Sequence, residues 1–319
     1  MSKKILVTGG AGAIGFQLCK ALAERGDTVF LVDNYLKGNR DDELLELISK
    51  DNVHEVLLDL SNPSELDVLP DDVDYVYHLA AFNGTQNFYE KPFDVLKHST
   101  IPTIHLLEKY KNSKTLKRFV YTGSSEAYAS SVTRFNWEVP TAEDVPLGID
   151  DVTNVRWSYG GSKLHGELAT FAAAGQYDIP VTVIRYHNVY GPRMGDKHIV
   201  PDFLNRAKKG VYELYGYEDT RSFLYVSDAV LATIKCAESE NTASEVVNVG
   251  GLPELTMLEL GQKMMGLLGI KEEIDCYPSP KGSVKRRAPA LDKLKRLTDY
   301  EQTIDLDVGL KETINYYFK

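Results

Sequence analysis

The feature that most constrains the fold of this 319-residue chain is the segment that ends at Asp33. Residues 4–8 form a short apolar run that stops at glycine, as a buried parallel strand does. The turn that follows, Gly9-Gly10-Ala11-Gly12-Ala13-Ile14-Gly15, fits Gly-x-Gly-x-x-Gly from Gly10 and Gly-x-x-Gly-x-x-Gly from Gly9. Apolar residues then recur at helical spacing up to Gly26, and residues 28–32 form a second apolar run before Asp33. This order of strand, glycine turn, helix, strand and acid predicts a βαβ unit.

The same order of elements indicates a dinucleotide site. A glycine turn lets backbone N–H groups approach a pyrophosphate closely, and the next helix points its positive N-terminal end at the anion. Asp33 comes about twenty residues after the glycines, where an acid accepts hydrogen bonds from the adenosine ribose hydroxyls. Asn34 follows it and no arginine does, so we predict NAD rather than NADP. The alternative is a tight turn in an unrelated α/β fold.

The rest of the first half repeats the alternation of strands and helices. Apolar runs at 53–58, 73–79 and 119–122 predict strands, and segments with helical character precede them at 43–49, 64–69 and 93–110. Alternation of this kind predicts an α/β fold, a Rossmann doubly wound parallel sheet that binds ligands at the carboxyl ends of its strands. Pro102 lies inside the longest helical segment and predicts a kink there.

Tyr159 and Lys163 stand at the start of a predicted helix that ends near Gly175. Because they are four residues apart, their side chains lie on one face of that helix. A phenol has a pKa of about 10, and lowering it to about 7 requires roughly 4 kcal/mol from the surroundings. A neighbouring ammonium favours the phenolate, so we predict that Lys163 lowers the pKa of Tyr159. The alternative is a tyrosine packed on the core beside a solvated lysine.

Composition excludes several classes of protein. A net charge of −10 without long runs of one sign argues against non-specific nucleic-acid binding. The three cysteines are widely spaced and contain no Cys-x-x-Cys, which predicts a reducing compartment and neither a disulfide framework nor a zinc site. The first apolar run is too short for a signal peptide and no run of transmembrane length follows, so we expect a cytoplasmic protein that does not bind membranes. The histidines form no ligand pattern, so we expect no catalytic metal, and we expect His78 to pack at the cofactor edge rather than act as a base.

Four motifs stand in order along the chain: residues 8–15 (Thr-Gly-Gly-Ala-Gly-Ala-Ile-Gly), 78–81 (His-Leu-Ala-Ala), 121–128 (Tyr-Thr-Gly-Ser-Ser-Glu-Ala-Tyr) and 159–163 (Tyr-Gly-Gly-Ser-Lys). Together they resemble the extended short-chain dehydrogenase/reductase family, in particular its NAD-dependent nucleotide-sugar epimerases, dehydratases and decarboxylases. Residues 185–193, 220–223 and 247–250 agree with the resemblance, which covers nearly the whole chain. It is highly specific for the family and much less specific for the reaction.

The resemblance implies three groups of site residues. The catalytic group is Ser124, Tyr159, Lys163 and Glu126. The cofactor-binding group is Gly9, Gly12, Ala13, Ile14, Gly15, Asp33, Asn34, Asp59, Leu60, Leu79, Ala80 and Ala81, with Tyr159 and Lys163. The substrate-binding group is Ser125, Asn188, Arg221 and Arg287.

Within these groups the resemblance implies individual roles. Asp59 and Leu60 sit beside the adenine, and Ser124 orients the sugar hydroxyl beside the catalytic tyrosine. Asn188 meets the substrate diphosphate, and the two arginines contact its phosphates or sugar, since a planar guanidinium forms charge-assisted, often bidentate bonds to phosphate. For each arginine the alternative is a solvated surface charge.

The chain departs from the family pattern at two places. It has Ser99-Thr100 where the family usually has Asn-Val, and Tyr128-Ala129 where the family usually has Tyr-Gly. Neither place belongs to the proton-transfer residues, but both bear on cofactor and loop packing.

The second half of the chain is expected to form the substrate pocket. We predict an NAD-binding domain over residues 1–180 and a smaller C-terminal α/β substrate-binding lobe over 181–319, with interleaved segments. Residues 130–155 have no clear period and predict a long active-site loop. Arg156 and Trp157 after it either face the sugar or pack. Residues 181–186 predict a sixth strand; helices are expected from Val200, Val226, Thr256 and Leu306, and short strands near Phe223, Val246 and Ile274.

These observations favour an enzyme that acts on a nucleotide-diphosphate sugar with retained NAD. Tyr159, as phenolate, takes the proton from a ring hydroxyl, expected to be O4, and a transient 4-keto sugar forms. Return of the hydride to the other face gives the 4-epimer, which we place first because that outcome is common in the family. Loss of a C5 carboxylate, in a decarboxylase of the UDP-glucuronate type, is the second alternative, because Ser125-Glu126 is more like the decarboxylases. A 4,6-dehydratase comes third, since the Asp that usually precedes the Glu is missing.

Three further expectations concern other classes of function and partners. A non-enzymatic NAD-sensing scaffold has no need of the Ser124, Tyr159 and Lys163 set, and a simple alcohol or ketone reductase has no need of a diphosphate loop at Asn188. Family members are often homodimers through a helix pair, which residues 93–110 and 159–175 would supply here by analogy. We expect no nucleic-acid partner.

Overall fold

A computed structural model gives the structure and describes residues 2–128, 132, 134–279 and 283–318. The strands in these residues are β1 (Lys4–Thr8), β2 (Thr28–Asp33), β3 (Val53–Leu57), β4 (Tyr75–His78), β5 (Arg118–Ser124), β6 (Val181–Tyr186), β7 (Val189–Tyr190), β8 (Glu213–Tyr215), β9 (Thr220–Ser222), β10 (Leu224–Tyr225), β11 (Glu245–Val249), β12 (Glu254–Thr256), β13 (Asp275–Tyr277) and β14 (Arg286–Arg287). The helices are α1 (Ala13–Glu24), α2 (Asp42–Ile48), α3 (Thr85–Glu90), α4 (Pro92–Tyr110), α5 (Ser158–Tyr177), α6 (Ile199–Ala207), α7 (Val226–Glu238), α8 (Met257–Leu268), α9 (Asp292–Thr298) and α10 (Leu306–Tyr317).

Seven parallel strands form the central sheet, in the order β11-β6-β5-β4-β1-β2-β3. The chain moves outward from β1 to β3 in one direction and from β4 to β6 in the other, so the direction of winding reverses between β1 and β4. A crevice opens at such a reversal, outside the carboxyl ends of the strands, and ligands bind there in open α/β sheets. The predicted Rossmann doubly wound α/β fold is confirmed.

Helices cover both faces of the sheet because its strands are apolar on both sides. In β1, Ile5 and Val7 pack with one hydrophobic cluster and Leu6 packs with the other, as the period of two requires. Residues of α1 and α7 fill the first cluster, and residues of α4 and α5 fill the second. Helix α4 continues through Pro102. None of the helices in the described part of the chain is long and apolar enough to cross a membrane.

The central sheet includes segments from beyond residue 180, the boundary that the sequence predicts together with interleaved segments. Strands β6 and β11 both lie beyond it, yet they complete one side of the central sheet, with Val247 paired to Ile184. Helix α7 also packs on the sheet, through buried residues such as Ala229. These segments are apolar on the faces that the sheet buries, so they join its core rather than a separate lobe. The strand expected near Val246 is therefore part of the NAD-binding unit.

The remaining C-terminal segments form the smaller α/β lobe. Its short strands form two groups, β12-β9-β14 and β13-β8. Helices α6, α8 and α10 surround a separate core that includes Phe203, Leu204, Leu260, Met264 and Leu310. The β10-β7 pair connects this lobe to the end of β6, so residues after β6 lie between the sheet and the lobe.

Candidate active site

The glycine turn between β1 and α1 lies at the reversal of the sheet. Gly9 has a φ of +70°, a conformation that L side chains rarely adopt. A Cβ on Gly15 would lie 2.0 Å from the carbonyl oxygen of Gly9, so only glycine allows the helix to start this close to the turn. Gly12 caps α1 without a side-chain hydrogen bond, which leaves the first N–H groups, from Ala13 and Ile14 onward, for an anion.

Asp33 stands beside this turn at the end of β2. Its carboxylate accepts hydrogen bonds from the backbone N–H of Ala11 (2.9 Å) and of Tyr35 (2.8 Å). Burial raises the pKa of Asp33, although these backbone hydrogen bonds act in the opposite direction. Each carboxylate oxygen keeps a lone pair for a ribose hydroxyl. Asn34 is exposed, and its side chain accepts a hydrogen bond from Leu36 N–H.

The other predicted cofactor residues border the same crevice. Leu79 N–H donates to the carbonyl of Thr8, and Ala80 N–H donates to the Thr8 hydroxyl, so residues 79–81 lie directly beside the end of β1. Leu60 is buried after β3, and Asp59 accepts a hydrogen bond from Ser61 N–H. A glycine cradle, a free helix N-terminus and an acid at the next strand fit a dinucleotide.

Tyr159 lies in the first turn of α5, half-buried against α3. Its ring stacks on Phe88 at a centroid distance of 5.1 Å. The side chains of Ser124 and Asn83 lie close enough to its hydroxyl to influence its pKa. Burial raises the pKa of Tyr159, the negative charge of Glu126 adds to the rise, and these two side chains oppose it. The predicted lowering of this pKa is therefore wrong for the protein alone, since burial and the charge of Glu126 raise it.

Lys163 is buried one turn further along α5. Its Nζ donates to the carbonyl of Thr122 at 2.7 Å and lies 5.7 Å from the centroid of the Tyr159 ring. Burial lowers the pKa of Lys163 to about 8, against the opposing effect of Glu167. The expected pairing of Tyr159 and Lys163 on one helix face is present, and the alternative of a solvated lysine is excluded.

Glu126 connects the end of β5 to two arginines. Its backbone N–H donates to Ser124 Oγ at 3.2 Å. Its carboxylate lies 2.8 Å from Arg287 Nη1 and 2.9 Å from Arg156 Nη2. Burial alone raises the pKa of Glu126, but the two guanidinium groups outweigh it and hold the pKa at about 2. The carboxylate is therefore charged at neutral pH and stands next to Ser124 and Tyr159.

Sequence patterns missed part of this arrangement. Arg156 was equally compatible with packing and with the pocket, and the structure assigns it to Glu126. Trp157 instead packs with Val284 and Ile149. Asn83 follows the strand-end motif without a pattern of its own, and no sequence signal identified it.

The predicted substrate-binding residues lie in different surroundings. Asn188, which has a φ of 37°, donates from Nδ2 to the carbonyl of Ser222 at 2.9 Å. Arg221 donates to the carbonyls of Thr220 and Val284, and burial and the charge of Arg287 lower its pKa to about 10. Ser125 is buried after β5. Contacts of these residues with a substrate stay predictions.

His78 is fully buried at the end of β4. Its ring nitrogens hydrogen-bond Thr8 Oγ1 at 2.7 Å and Thr103 Oγ1 at 3.0 Å. Burial, with a contribution from the charge of Lys163, lowers its pKa to about 3. A neutral imidazole with both nitrogens engaged has a packing role, as the sequence predicts.

One departure from the family pattern has a visible consequence. Ser99, on α4, accepts a hydrogen bond from Phe82 N–H at 3.2 Å and so supports the loop after β4. Thr100 donates to the carbonyl of Leu96 within the helix. Ala129 and part of the predicted loop 130–155 lie outside the described residues.

Comparisons with known proteins agree with this geometry. The model of the NAD dependent epimerase/dehydratase family matches residues 5–250. UDP-N-acetyl-alpha-D-glucosaminuronate decarboxylase of Bacillus cytotoxicus is 31% identical, over 99% of this chain and 98% of that protein. The crystal structure of UDP-glucose 4-epimerase from Thermotoga maritima has a TM-score of 0.86 at 29% identity and covers 99% of this chain and 98% of its own. That of UDP-glucuronic acid 4-epimerase from Bacillus cereus, in complex with UDP-glucuronic acid and NAD, has a TM-score of 0.87 at 26% identity and covers 99% of both chains.

Proposed function

The chain belongs to the NAD dependent epimerase/dehydratase family, and we propose that it is an NAD-dependent decarboxylase of UDP-hexuronates. The observation that carries the proposal is Glu126, held by Arg156 and Arg287 beside Ser124 and Tyr159. The Ser125-Glu126 pair that follows Ser124 is the pattern that the family resemblance associates with decarboxylases. The relative from Bacillus cytotoxicus supports the same reaction. We therefore place decarboxylation before 4-epimerisation, which reverses the order expected from sequence.

The proposed reaction begins at O4 of the sugar. Tyr159 accepts the O4 proton, and Ser124 donates a hydrogen bond to the same oxygen. The glycine turn, Asp33 and residues 79–81 would hold NAD, which would supply a hydride acceptor for C4 and a cationic ring that favours the phenolate. Lys163 adds positive charge behind the tyrosine ring. The sugar product of this step is a 4-ketone.

Carbon dioxide then leaves from C5. The carboxylate is β to the new ketone, so the bond between C5 and the carboxyl carbon breaks and its electron pair forms an enolate at C4. Tyr159, now protonated, and Ser124 donate hydrogen bonds to the enolate oxygen. A proton from water adds at C5 and converts the enolate back to the C4 ketone. When that ketone is reduced again, Tyr159 returns its proton to O4.

The arginine pair gives this site a means to position the substrate carboxylate. Arg156 Nη1 and Arg287 Nε have no hydrogen-bond partner among the described residues, so both groups keep donor capacity beyond their contacts with Glu126. Guanidinium donors suit a substrate carboxylate. Glu126 places a second negative charge near the substrate carboxylate, and this repulsion raises the free energy of the carboxylate relative to that of neutral CO2.

Incubation with UDP-glucuronate tests the proposal. We expect CO2 and a UDP-pentose by mass spectrometry, with no net NADH. Tyr159→Phe should retain NAD and lose turnover. A redox-neutral product of unchanged mass would refute decarboxylation and support the second candidate, a UDP-hexuronate 4-epimerase, which the Bacillus cereus structure favours.

Glu126→Gln tests the residue that carries the proposal. The amide keeps the size of the side chain and removes its charge, so we expect decarboxylation to fall about 100-fold with a smaller change in KM. Glu254→Gln is the matched control, because Glu254 pairs with Arg286, the neighbour of Arg287, at the lobe surface. Equal losses of decarboxylation in both variants would refute a specific role of Glu126 in the reaction.

We also propose a homodimer through α4 and α5. These helices pack together on one face of the sheet, and both present exposed apolar side chains, among them Phe93 (76% exposed), Leu96, Ile104 and Leu168 (66% exposed). An apolar face of this kind is typical of an interface. Leu168→Glu should shift the protein to monomer by light scattering, whereas Leu57→Glu, at an equally exposed position on β3 (69%), should not. A wild-type monomer would refute this proposal.

A further inference from the structure

Residues 34–41, here called the strap, follow β2 after Asp33 and lead to α2, whose N-cap is Asp41. Tyr35 has a φ of 56°, which turns the chain back over the glycine turn. A Cβ on Gly38 would lie 2.7 Å from the Ala11 Cβ. The strap therefore lies against the turn that the pyrophosphate is expected to meet.

The first attachment of the strap crosses the crevice. Lys37 Nζ donates to the backbone carbonyl of Asn83 at 2.6 Å and to its side-chain Oδ1 at 2.5 Å. Asn83 follows β4, whereas the strap follows β2, and β1 with the glycine turn lies between these two strands. A bond from one side to the other must pass above the carboxyl end of β1.

The second attachment ties the strap to the segment after β7. Arg193 donates to the carboxylate of Asp41 and, at 3.2 Å, to the carbonyl of Asn39. Its guanidinium lies 4.1 Å from the centroid of the Phe16 ring on α1, and only 3% of its side chain is exposed. Because Arg193 is buried, opening this contact leaves a buried guanidinium without its nearest carboxylate. The Asp41 side chain is 37% exposed, and a second carboxylate, that of Glu43, lies 3.4 Å from Arg193 Nη1.

We propose that the strap closes over bound NAD, and that the Arg193–Asp41 pair is the clasp that prevents NAD from leaving between catalytic cycles. The hydride returns to the sugar in each cycle, so the reaction needs no exchange of NAD. The inference rests on the NAD dependence of the family and holds for a decarboxylase and for an epimerase alike.

Loss of the clasp should appear as faster release of NAD. Removal of the anion beside a buried cation acts mainly on dissociation rates, and we expect the rate of NAD release to increase about 10- to 100-fold. Asp41→Asn is the variant of choice, because Asp41 also caps α2 through Leu44 N–H and asparagine preserves that cap. Lys37→Met opens the first attachment at an exposed side chain.

The experiment measures the rate at which NAD leaves the loaded, desalted protein, without any sugar nucleotide. Arg40→Gln is the matched control, since Arg40 lies on the strap and pairs with Glu55 of β3 without crossing the crevice. Faster release from Asp41→Asn and Lys37→Met but not from Arg40→Gln supports the proposal. Wild-type release from Asp41→Asn, or equal acceleration in all three variants, overturns it. Either result leaves the choice of substrate open, because no substrate is present.

Discussion

Gly166 on α5 offers a direct test of how the catalytic helix is seated on the sheet. A Cβ at this position would lie 2.0 Å from the hydroxyl oxygen of Tyr121 and 2.2 Å from its Cζ. Ordinary contact begins at 3.4 Å, so α5 and β5 must separate by about 1.4 Å to admit alanine. Tyr121 is 1% exposed and cannot turn toward solvent to make room. Tyr159 and Lys163 lie on the same helix, so the shift reaches both.

We expect Gly166→Ala to cost about 1–3 kcal/mol of unfolding free energy through overpacking. A displacement of about 1 Å at reacting groups costs on the order of 100-fold in turnover. Urea unfolding and kcat measure the two effects.

The matched control is Gly175→Ala on the same helix, where a Cβ meets nothing within 4 Å. It should be neutral or stabilising by up to about 1 kcal/mol. Addition of Tyr121→Phe to Gly166→Ala should not restore activity, since Cζ remains at 2.2 Å. Wild-type stability and turnover in Gly166→Ala would refute the argument.

Three further predictions concern buried charges and thiols. Because burial lowers the pKa of Lys163 from 10.5 to about 8, the folded state binds fewer protons than the unfolded state between these values. The unfolding free energy of wild type should therefore rise relative to that of Lys163→Met as pH increases from about 8 to 10.5, by at most about 1.4 kcal/mol per pH unit. Urea unfolding of both proteins at several pH values measures this, and a constant difference between them would contradict it. Glu167→Gln should cost about 3–5 kcal/mol of unfolding free energy because it leaves Arg185 buried without its anion, and Arg185→Met with Glu167→Leu should recover most of it. A thiol reagent should label Cys276 in the folded protein and all three cysteines in denaturant; a second fast thiol would contradict the packing of Cys19 or Cys236.

The central strands were predictable because a parallel strand covered on both faces has little besides apolar residues. The runs at 4–8 and 181–186 coincide with β1 and β6. Short elements are harder to predict: residues 64–69 have helical character in the sequence, and the structure has a short 3-10 helix over Pro63–Val68 there. The place of β11 in the central sheet depends on its pairing with β6, which the strand itself does not encode.

The site divides in the same way. Gly9, Ser124, Tyr159 and Lys163 belong to local motifs, so their positions could be read from spacing. The partners of Glu126 come from residues 156 and 287, far along the chain, and only the fold brings them together. Spacing also gives the distance between Tyr159 and Lys163 but not the solvation of either group, which is why the direction of the tyrosine pKa was wrong.

Strand β11 has a consequence for the order of events during synthesis. It is the edge strand of the central sheet and pairs with β6. The sheet of the nucleotide-binding unit therefore cannot be completed until residue 249 has emerged from the ribosome. Until then β6 presents an unpaired ladder of N–H and C=O groups, the kind of template on which neighbouring chains aggregate. A chain truncated before β11 should depend on chaperones, although it contains the whole glycine turn and the whole catalytic helix.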